Sequence, residues 1–374
     1  MIDWESEGTH ILINPRMSSD QRLDIEKKLQ SLGLKGHVWV STSGTTAQNS
    51  TKWVALSKQA LLASAKAVNR HLNSQKDDVW VHALPHFHVG GVGIFARAYL
   101  SQAKVVTLNQ KWCPSTFQER CIEAKATLSA LVPTQLYDLI KLKLEAPSSL
   151  RAVIVGGGGL NEELYFKARA LGWNPLPSYG LSECCSQVAT APLSSLKKDD
   201  FPGMQLLEHI SFVTIDKCNL LKIRSKSLLS CYAVISESQL EVIDPKQEGW
   251  FQTEDRVEMK GDELRHLGRV GDLVKVGGEN VNLAHVNEIL SALKIKLGVE
   301  GDQVLVAFPS ERLGHAIHLV QANTCPKQLK ALVDQYHLQT LPFERIREVA
   351  KLHEIPRTDL KKPKVQEIIS LLSK

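Results

Sequence analysis

The sequence predicts an α/β protein built in layers and divided into a large lobe and a small one. Three observations carry this. Through the N-terminal two-thirds, short apolar strand-like segments alternate with segments of helical periodicity, the pattern of a sheet covered by helices. After about Leu206 short β-like segments follow one another without helices between them. Near Gly268 a polar, glycine-containing stretch, GRVGDLVKVGGENVN, opens a new α+β pattern that runs to the end. The chain has 374 residues, more than the roughly 250–300 at which a single core stops growing, so a boundary is expected there, with lobes of 1–267 and 268–374.

The elements follow in order. His37-Val-Trp-Val-Ser-Thr42 reads as a strand, and Ser57 caps a helical run in which Leu61, Leu62, Ala65, Val68 and Leu72 share one face. Val79–Leu84 and Lys104–Leu108 are further strand candidates. Ala152-Val-Ile-Val runs into four glycines, Gly156 to Gly159, and leads to a helix from about Asn161 to Leu171. Ser211–Ile215, Ser230–Ile235 and Leu240–Asp244 look like a small, more antiparallel β region.

Composition narrows the function classes. Lys+Arg number 45 against 40 Asp+Glu, a net +5 spread along the chain, with only the terminal KKPKVQEIISLLSK locally rich in lysine. Without a basic stripe or a recognisable module, nucleic acid is not an expected partner, whereas polyanionic small molecules are compatible. No stretch approaches the ~20 apolar residues of a membrane span, and MIDWESEGTH carries acids where a secretory signal has a basic and then an apolar run. A cytoplasmic location without stable membrane insertion is therefore expected. The seven cysteines are scattered, with no CxxC spacing, and are read as reduced thiols, most of them in the core; neither zinc nor a disulfide framework is indicated.

Five segments carry residues suited to chemistry. Ser41-Thr-Ser-Gly-Thr-Thr46 follows an apolar strand, and its hydroxyls and backbone N–H groups suit a phosphate chain, with Lys52 available as counter-charge. It lacks the GK[ST] ending of a Walker loop, and taken alone it reads as an ordinary turn. Tyr179-Gly-Leu-Ser-Glu183 offers an aromatic face, a hydroxyl and a carboxylate able to take Mg²⁺ through oxygen; alone it is a loop with a partly buried tyrosine. In Gly249-Trp-Phe-Gln-Thr-Glu-Asp255 the last carboxylate suits both hydroxyls of a ribose, and in Gly268–Gly278 Arg269 suits the same sugar or its phosphate; each is otherwise a turn with surface charges. Pro356-Arg-Thr-Asp-Leu-Lys-Lys362 is a proline-opened loop holding two lysines.

Together these segments stand in the order found in the adenylate-forming superfamily of acyl-CoA synthetases, peptide-synthetase adenylation domains and luciferases, which the chain resembles from about Val40 to its end. Leu84-Pro-His-Phe-His-Val-Gly-Gly-Val-Gly-Ile94 is similar to the histidine-bearing motif of that superfamily, and Ser310-Glu-Arg-Leu-Gly314 to a segment of its small lobe. Within it the chain resembles the o-succinylbenzoate–CoA ligases of menaquinone biosynthesis, on the stretch from Phe87 to Arg97, with an arginine nine residues after His88, and on Ser129-Ala-Leu-Val-Pro-Thr-Gln-Leu-Tyr137.

The resemblance implies a large nucleotide-binding lobe and a small mobile one joined by a hinge, and ATP, Mg²⁺ and CoA as the molecules handled. Thr42, Ser43, Gly44, Thr45 and Thr46 would hold the ATP phosphates. This chain departs after them, with Ala47-Gln-Asn-Ser-Thr-Lys52 where the superfamily has a glycine and a Pro-Lys pair. Tyr179 and Gly180 would line the adenine, Ser182 would meet the α-phosphate, and Glu183 would carry Mg²⁺. Gly156, Gly157 and Gly158 would line the adenine and acyl pocket, and Asp255 and Arg269 would hold the ribose. His88 would sit beside the reacting carboxylate, Arg97 would bind the second carboxylate of o-succinylbenzoate, Asp272 would be the hinge, and Gly277 and Gly278 would line the pantetheine tunnel. Lys362 matches the mobile catalytic lysine, with Lys361 in the place of a glycine. Only about 40 residues precede the hydroxyl loop, so the large lobe is expected to be shortened at its start, either as a compact variant or with a neighbouring chain, as in a homodimer, covering the exposed face. Two other readings stand beside this one: a ligase for another aryl or fatty acid, and a nucleotide- or acyl-binding regulator without turnover.

Overall fold

The computed structural model describes residues 2–42, 50–108, 111–216, 219–236 and 239–373. Its helices are α1 (Ser19–Gln30), α2 (Lys58–His71), α3 (Val89–Ser101), α4 (Pro114–Glu123), α5 (Pro133–Lys141), α6 (Glu162–Ala170), α7 (Leu283–Leu297), α8 (Pro326–Gln339) and α9 (Val365–Leu372). Local chemistry starts several of them. Ser18 and Gln21 form a reciprocal capping box at α1, and the Ser57 hydroxyl accepts the Ala60 N–H at 3.0 Å at α2, as expected. Pro114 and Pro133 open α4 and α5, where a missing N–H costs nothing. Among the described residues no helix is long and apolar enough to cross a membrane.

Among the described residues three sheets organise the molecule. The principal sheet has a parallel half, in the spatial order 104–107, 79–82, 128–131, 152–155 and 175–181. Its strands are apolar on both faces because α2 and α3 cover one side and α4 to α6 the other, with Trp80 and Trp173 buried between the layers. At Pro175–Leu181 the sheet changes character: this strand is parallel to 152–155 on one side and antiparallel to Ser186–Thr190 on the other. Beyond it the antiparallel half continues through 204–206, 263–269, 250–260, 220–225 and 210–215.

A second sheet orders 10–12, 37–41, 51–57, 231–235 and 240–243, with Trp39 and Trp53 buried against α1. The β-rich run after Leu206 is thus no separate unit. Its strands 210–215 and 220–225 extend the principal sheet, whereas 231–235 crosses to pair with 51–57. Sequence patterning gives local strand character but not the partner, which depends on contacts far apart in the chain.

Strand 263–269 belongs to the principal sheet, and the short turn Val270–Asp272 leads from it into the small lobe. There a third sheet orders 279–282, 273–276, 314–322 and 302–310, with 348–351 parallel to 314–322. Val276, Val281, Leu290, Ile317 and Leu332 fill its own core under α7 and α8. The small lobe docks on α6, where Lys167 Nζ donates to the Ile295 carbonyl at 2.9 Å and Asn161 Nδ2 to the Ser291 hydroxyl at 3.3 Å.

The glycines after His88 set how closely α3 approaches the strand end beneath it. A Cβ on Gly91 would lie 2.2 Å from the Pro85 carbonyl oxygen, whereas one on Gly90 would meet only the movable end of Leu84 at 3.2 Å. Gly91→Ala should therefore destabilise the protein by about 1–3 kcal/mol and Gly90→Ala by less than about 1, measured by urea unfolding; equal effects would show that the contact with Pro85 sets nothing.

Candidate active site

A cavity of about 1680 Å³ opens between the lobes at the C-terminal ends of the parallel strands. That position follows from the topology. In an open α/β sheet the crevice for a ligand lies beyond the carboxyl ends of the strands, and the segments that follow 128–131, 152–155 and 175–181 line it here. Tyr179, near the end of the switch strand, faces this crevice.

Asp255 is the buried anchor of the site, only 3% exposed. Its Oδ2 accepts the Tyr179 hydroxyl at 2.7 Å and its Oδ1 accepts Arg269 Nε at 2.7 Å, with His266 Nε2 at 3.5 Å from the same oxygen. Burial pushes the Asp255 pKa up, but the His266 contact, the Arg269 charge and the Tyr179 hydroxyl outweigh it and hold the carboxyl well below the usual carboxylate range. Burial and Asp255 together raise the Tyr179 phenol well above its ordinary value, so it stays a donor. The His266 ring stacks on Tyr179, centroids 5.3 Å apart.

Around the next turn Ser182, Glu183 and Cys184 form a short 3₁₀ segment. The chain then passes through two left-handed residues, Cys185 (φ 54°) and Ser186 (φ 94°), conformations that L side chains adopt at a cost and that cluster at working sites. Ser186 is brought so close that a Cβ on Gly180 would lie 1.9 Å from its carbonyl oxygen, which restricts that position to glycine. Glu183 Oε1 accepts the Tyr232 hydroxyl at 2.9 Å, and Lys52 Nζ sits 3.6 Å from the centroid of the Tyr232 ring. Among the described residues no three carboxylate, thiol or imidazole groups gather as a metal cage. A lone carboxylate with a free oxygen fits Mg²⁺, which takes most of its ligands from phosphates and water.

Thr42 lines the same cavity, its N–H donating to the Lys52 carbonyl at 3.1 Å. Ser43, Gly44, Thr45 and Thr46 lie outside the described residues. Gly157 and Gly158 line the wall made by the 152–155 strand end.

Lys362 reaches the cavity from the small lobe. Protein surrounds it on most sides while water still reaches much of its side chain through the cavity. Its pKa is pulled down by this burial and by Arg269, against the opposing pull of Asp255 and Asp272. Lys361 has φ 62°, which turns the chain so that its side chain faces a separate small recess with Trp112 and Asp138. His88 stands at the N-terminus of α3 with Nε2 unpartnered; burial lowers its pKa, opposed by Asp359 and reinforced by Lys362. Arg97, on α3, is 2% exposed, and its Nε has no partner. Burial lowers its pKa to about 9, which leaves it protonated at neutral pH, and no carboxylate pairs with it among the described residues. A buried cation of this kind is costly unless something anionic meets it.

Thr42, His88, Arg97, Gly157, Gly158, Tyr179, Gly180, Ser182, Glu183, Asp255, Arg269 and Lys362 thus share one cavity. Asp272 lies beside it, accepting the Arg269 N–H at 2.6 Å, and Gly277 and Gly278 form an outer turn between 273–276 and 279–282, away from it. Tyr232 and His266 were not foreseen. Both sit on strands without a motif, and their alternation with buried neighbours gives no sign of what they face.

The sequence profile of the AMP-binding enzyme family matches residues 38–213. The 2-succinylbenzoate–CoA ligase of Enterococcus faecalis is 25% identical over 329 residues, covering 85% of this chain and 66% of that protein. The enzyme of the same name from Escherichia coli K12 is 30% identical over 276 residues, covering 73% of this chain and 56% of that protein. The chain thus spans between about half and two-thirds of the length of these curated relatives. Among solved structures, a variant of E. coli MenE with bound OSB-AMS superposes with a TM-score of 0.72 at 25% identity, covering 90% of this chain and 68% of that one. The o-succinylbenzoate CoA synthetase of Bacillus subtilis in complex with the acyl-adenylate OSB-AMP gives 0.75 at 23% identity, covering 88% of this chain and 68% of that one, a likeness of fold. With the ordered segments, the shared fold and the profile match in agreement, the chain belongs to the adenylate-forming superfamily of AMP-binding enzymes.

Proposed function

We propose that this chain is an ATP-dependent acid–CoA ligase acting on o-succinylbenzoate. The observation that carries the reading is the meeting of Glu183, the Tyr179–Asp255–Arg269 cluster and Lys362 in one cavity with the buried, unpaired Arg97. The names of the similar proteins point to the same acid.

In this reading a substrate carboxylate attacks the α-phosphorus of ATP; the carboxylate O–P bond forms as the bond to pyrophosphate breaks. No enzyme nucleophile takes part, so the protein's task is to align two anions and neutralise charge on the phosphoryl oxygens. Mg²⁺, when bound, would supply charge neutralisation at the phosphates from Glu183. Tyr179 presents its face to the adenine, and Asp255, fully ionised, offers the remaining lone pair of Oδ2 to the ribose. Thr42 meets the phosphates. Lys362, on a flexible stem, meets the developing charge, and His88 borders the reacting carboxylate. Arg97 grips the second carboxylate of the acid with two parallel bonds. A rotation at Asp272 would then withdraw Lys362, bring Gly277 and Gly278 to the cavity and admit the CoA thiol, which displaces AMP to form the thioester. We read the cytoplasm, where ATP and CoA are at hand, as the location.

The deciding assay is ATP–pyrophosphate exchange across a panel of acids. Exchange with o-succinylbenzoate is expected; exchange only with other acids would reassign the substrate, and none at all would favour a binding protein. Lys362→Ala should lower adenylation by about 10²-fold or more while thioester formation from supplied acyl-adenylate survives, and equal loss of both would contradict the two-state reading. Asp255→Ala should raise the KM for ATP by about tenfold or more, and an unchanged value would remove Asp255 from the ribose. Arg97→Met, which keeps volume and removes charge, should raise the KM for o-succinylbenzoate by about 10–100-fold and leave a monocarboxylic substrate little changed; parallel losses on both acids would make Arg97 structural.

A further inference from the structure

The turn that carries Lys362 is a rigid part of the small lobe. Arg357 places Nε and Nη2 on the two oxygens of Asp302 at 2.7 and 2.6 Å, and its Nη1 donates to the Lys361 carbonyl at 2.7 Å. Thr358 N–H donates to the Lys362 carbonyl at 2.8 Å, closing the turn. Nothing in that scaffold fixes where the turn stands relative to the large lobe.

Its tip, Asp359, is held from the other lobe. Asn14 Nδ2 donates to Asp359 Oδ2 at 2.6 Å, and Arg16 Nη1 donates to Oδ1. Both donors belong to one tight turn directly after strand 10–12: Asn14 Oδ1 accepts the Arg16 N–H at 3.0 Å, and its carbonyl accepts the Met17 N–H at 3.1 Å. The Asp359 side chain is 19% exposed and the Arg16 side chain 68%. A solitary exposed ion pair would be worth little, but here a second donor reaches the other oxygen of a shielded carboxylate. Leu360, next in the turn, lines the same small recess as Leu84 and Pro85, just before His88.

We propose that Asn14 and Arg16 are positioning residues for Lys362: their two-donor grip on Asp359 holds the small lobe in the arrangement that brings Lys362 into the cavity. The inference rests on the ligase reading above. The grip exists only in this arrangement and breaks when the small lobe turns at 270–272, so it adds stability to one of two states and shifts their ratio by that amount. Asn14 and Arg16 touch no reacting atom. They therefore favour the adenylating half of the reaction and oppose departure from it.

The experiment uses the full chain with Cys218→Ser. Cys113 and Cys325, exposed thiols of the large and small lobes, carry spin labels, and the inter-label distance is measured by pulsed electron resonance. The double variant Asn14→Ala/Arg16→Ala should add a second distance population. Pyrophosphate exchange should fall about tenfold, as expected for the loss of one charge-assisted grip, while thioester formation from supplied acyl-adenylate is unchanged or faster. The exchanged pair Arg16→Asp/Asp359→Arg should restore the single population. A distance distribution identical to that of the unsubstituted chain, or equal loss in the two half-reactions, would overturn the inference. If the unsubstituted chain exchanges pyrophosphate with no acid, the ligase reading fails, while the distance measurement still decides whether the grip exists.

Discussion

The site depends on one buried carboxylate. Asp255 ties together the switch strand, through Tyr179, and the last strand before the small lobe, through Arg269. Each contact needs the others: without the carboxylate, a phenol would be buried without an acceptor and a guanidinium would lose its partner. Because the folded pKa is depressed, the carboxylate contributes stability above its unfolded value near ~3.9 and loses it only as pH falls through the lower folded value. Through the physiological range Asp255 is a fixed negative charge. Oδ1 is taken by Arg269 and His266, whereas Oδ2 keeps one lone pair beyond that used by Tyr179, which lets one residue be both a structural tie and an acceptor for a hydroxyl.

The cations around it follow a different rule. Arg269 is paired with Asp255, Arg97 and Lys52 lie over the rings of Trp80 and Tyr232 with no carboxylate partner among the described residues, and Lys362 stands in the cavity itself. Uncompensated positive charge at partly enclosed positions costs folding free energy, and a fold retains it where an anion can restore the balance. Arg97 on α3 and Lys362 on the small lobe line the same cavity from different lobes, so anionic groups can meet positive charge from both sides. That is a property of the charge layout, independent of which acid is chosen.

Much of this was legible in the sequence. The strands 37–41, 79–82, 104–107 and 152–155 and the helices α2 and α6 follow from periodicity and from local caps such as Ser57, both encoded within a few residues. Tyr179, Glu183, Asp255, Arg269 and Lys362 stood out because motifs concentrate chemistry in short segments, and the shared cavity joins them. Partnerships were not legible. That 231–235 crosses to the strand 51–57, bringing Tyr232 beside Glu183 and under Lys52, depends on long-range pairing that no local pattern encodes. The stacking of His266 on Tyr179 is hidden for the same reason. Asn14 and Arg16 lie more than 340 residues from Asp359, and the three acquire meaning only where the lobes meet.

The two adjacent lysines show how backbone conformation settles what side-chain identity leaves open. Lys361 and Lys362 carry the same group, and in the sequence either one suits a mobile cation. The left-handed backbone at Lys361 sends its side chain toward Trp112 and Asp138 and leaves Lys362 aimed at the cavity. A left-handed L-residue costs roughly 1–2 kcal/mol, a cost a glycine at this place would avoid. The turn bears that strain because Arg357 and Thr358 bind the carbonyls of Lys361 and Lys362 and fix the reversal from within. A rigid turn has a further consequence: the reach of Lys362 is set by the orientation of the whole small lobe and little by its own backbone. Any contact that fixes that orientation, the grip on Asp359 among them, therefore acts on the lysine as directly as a neighbour would.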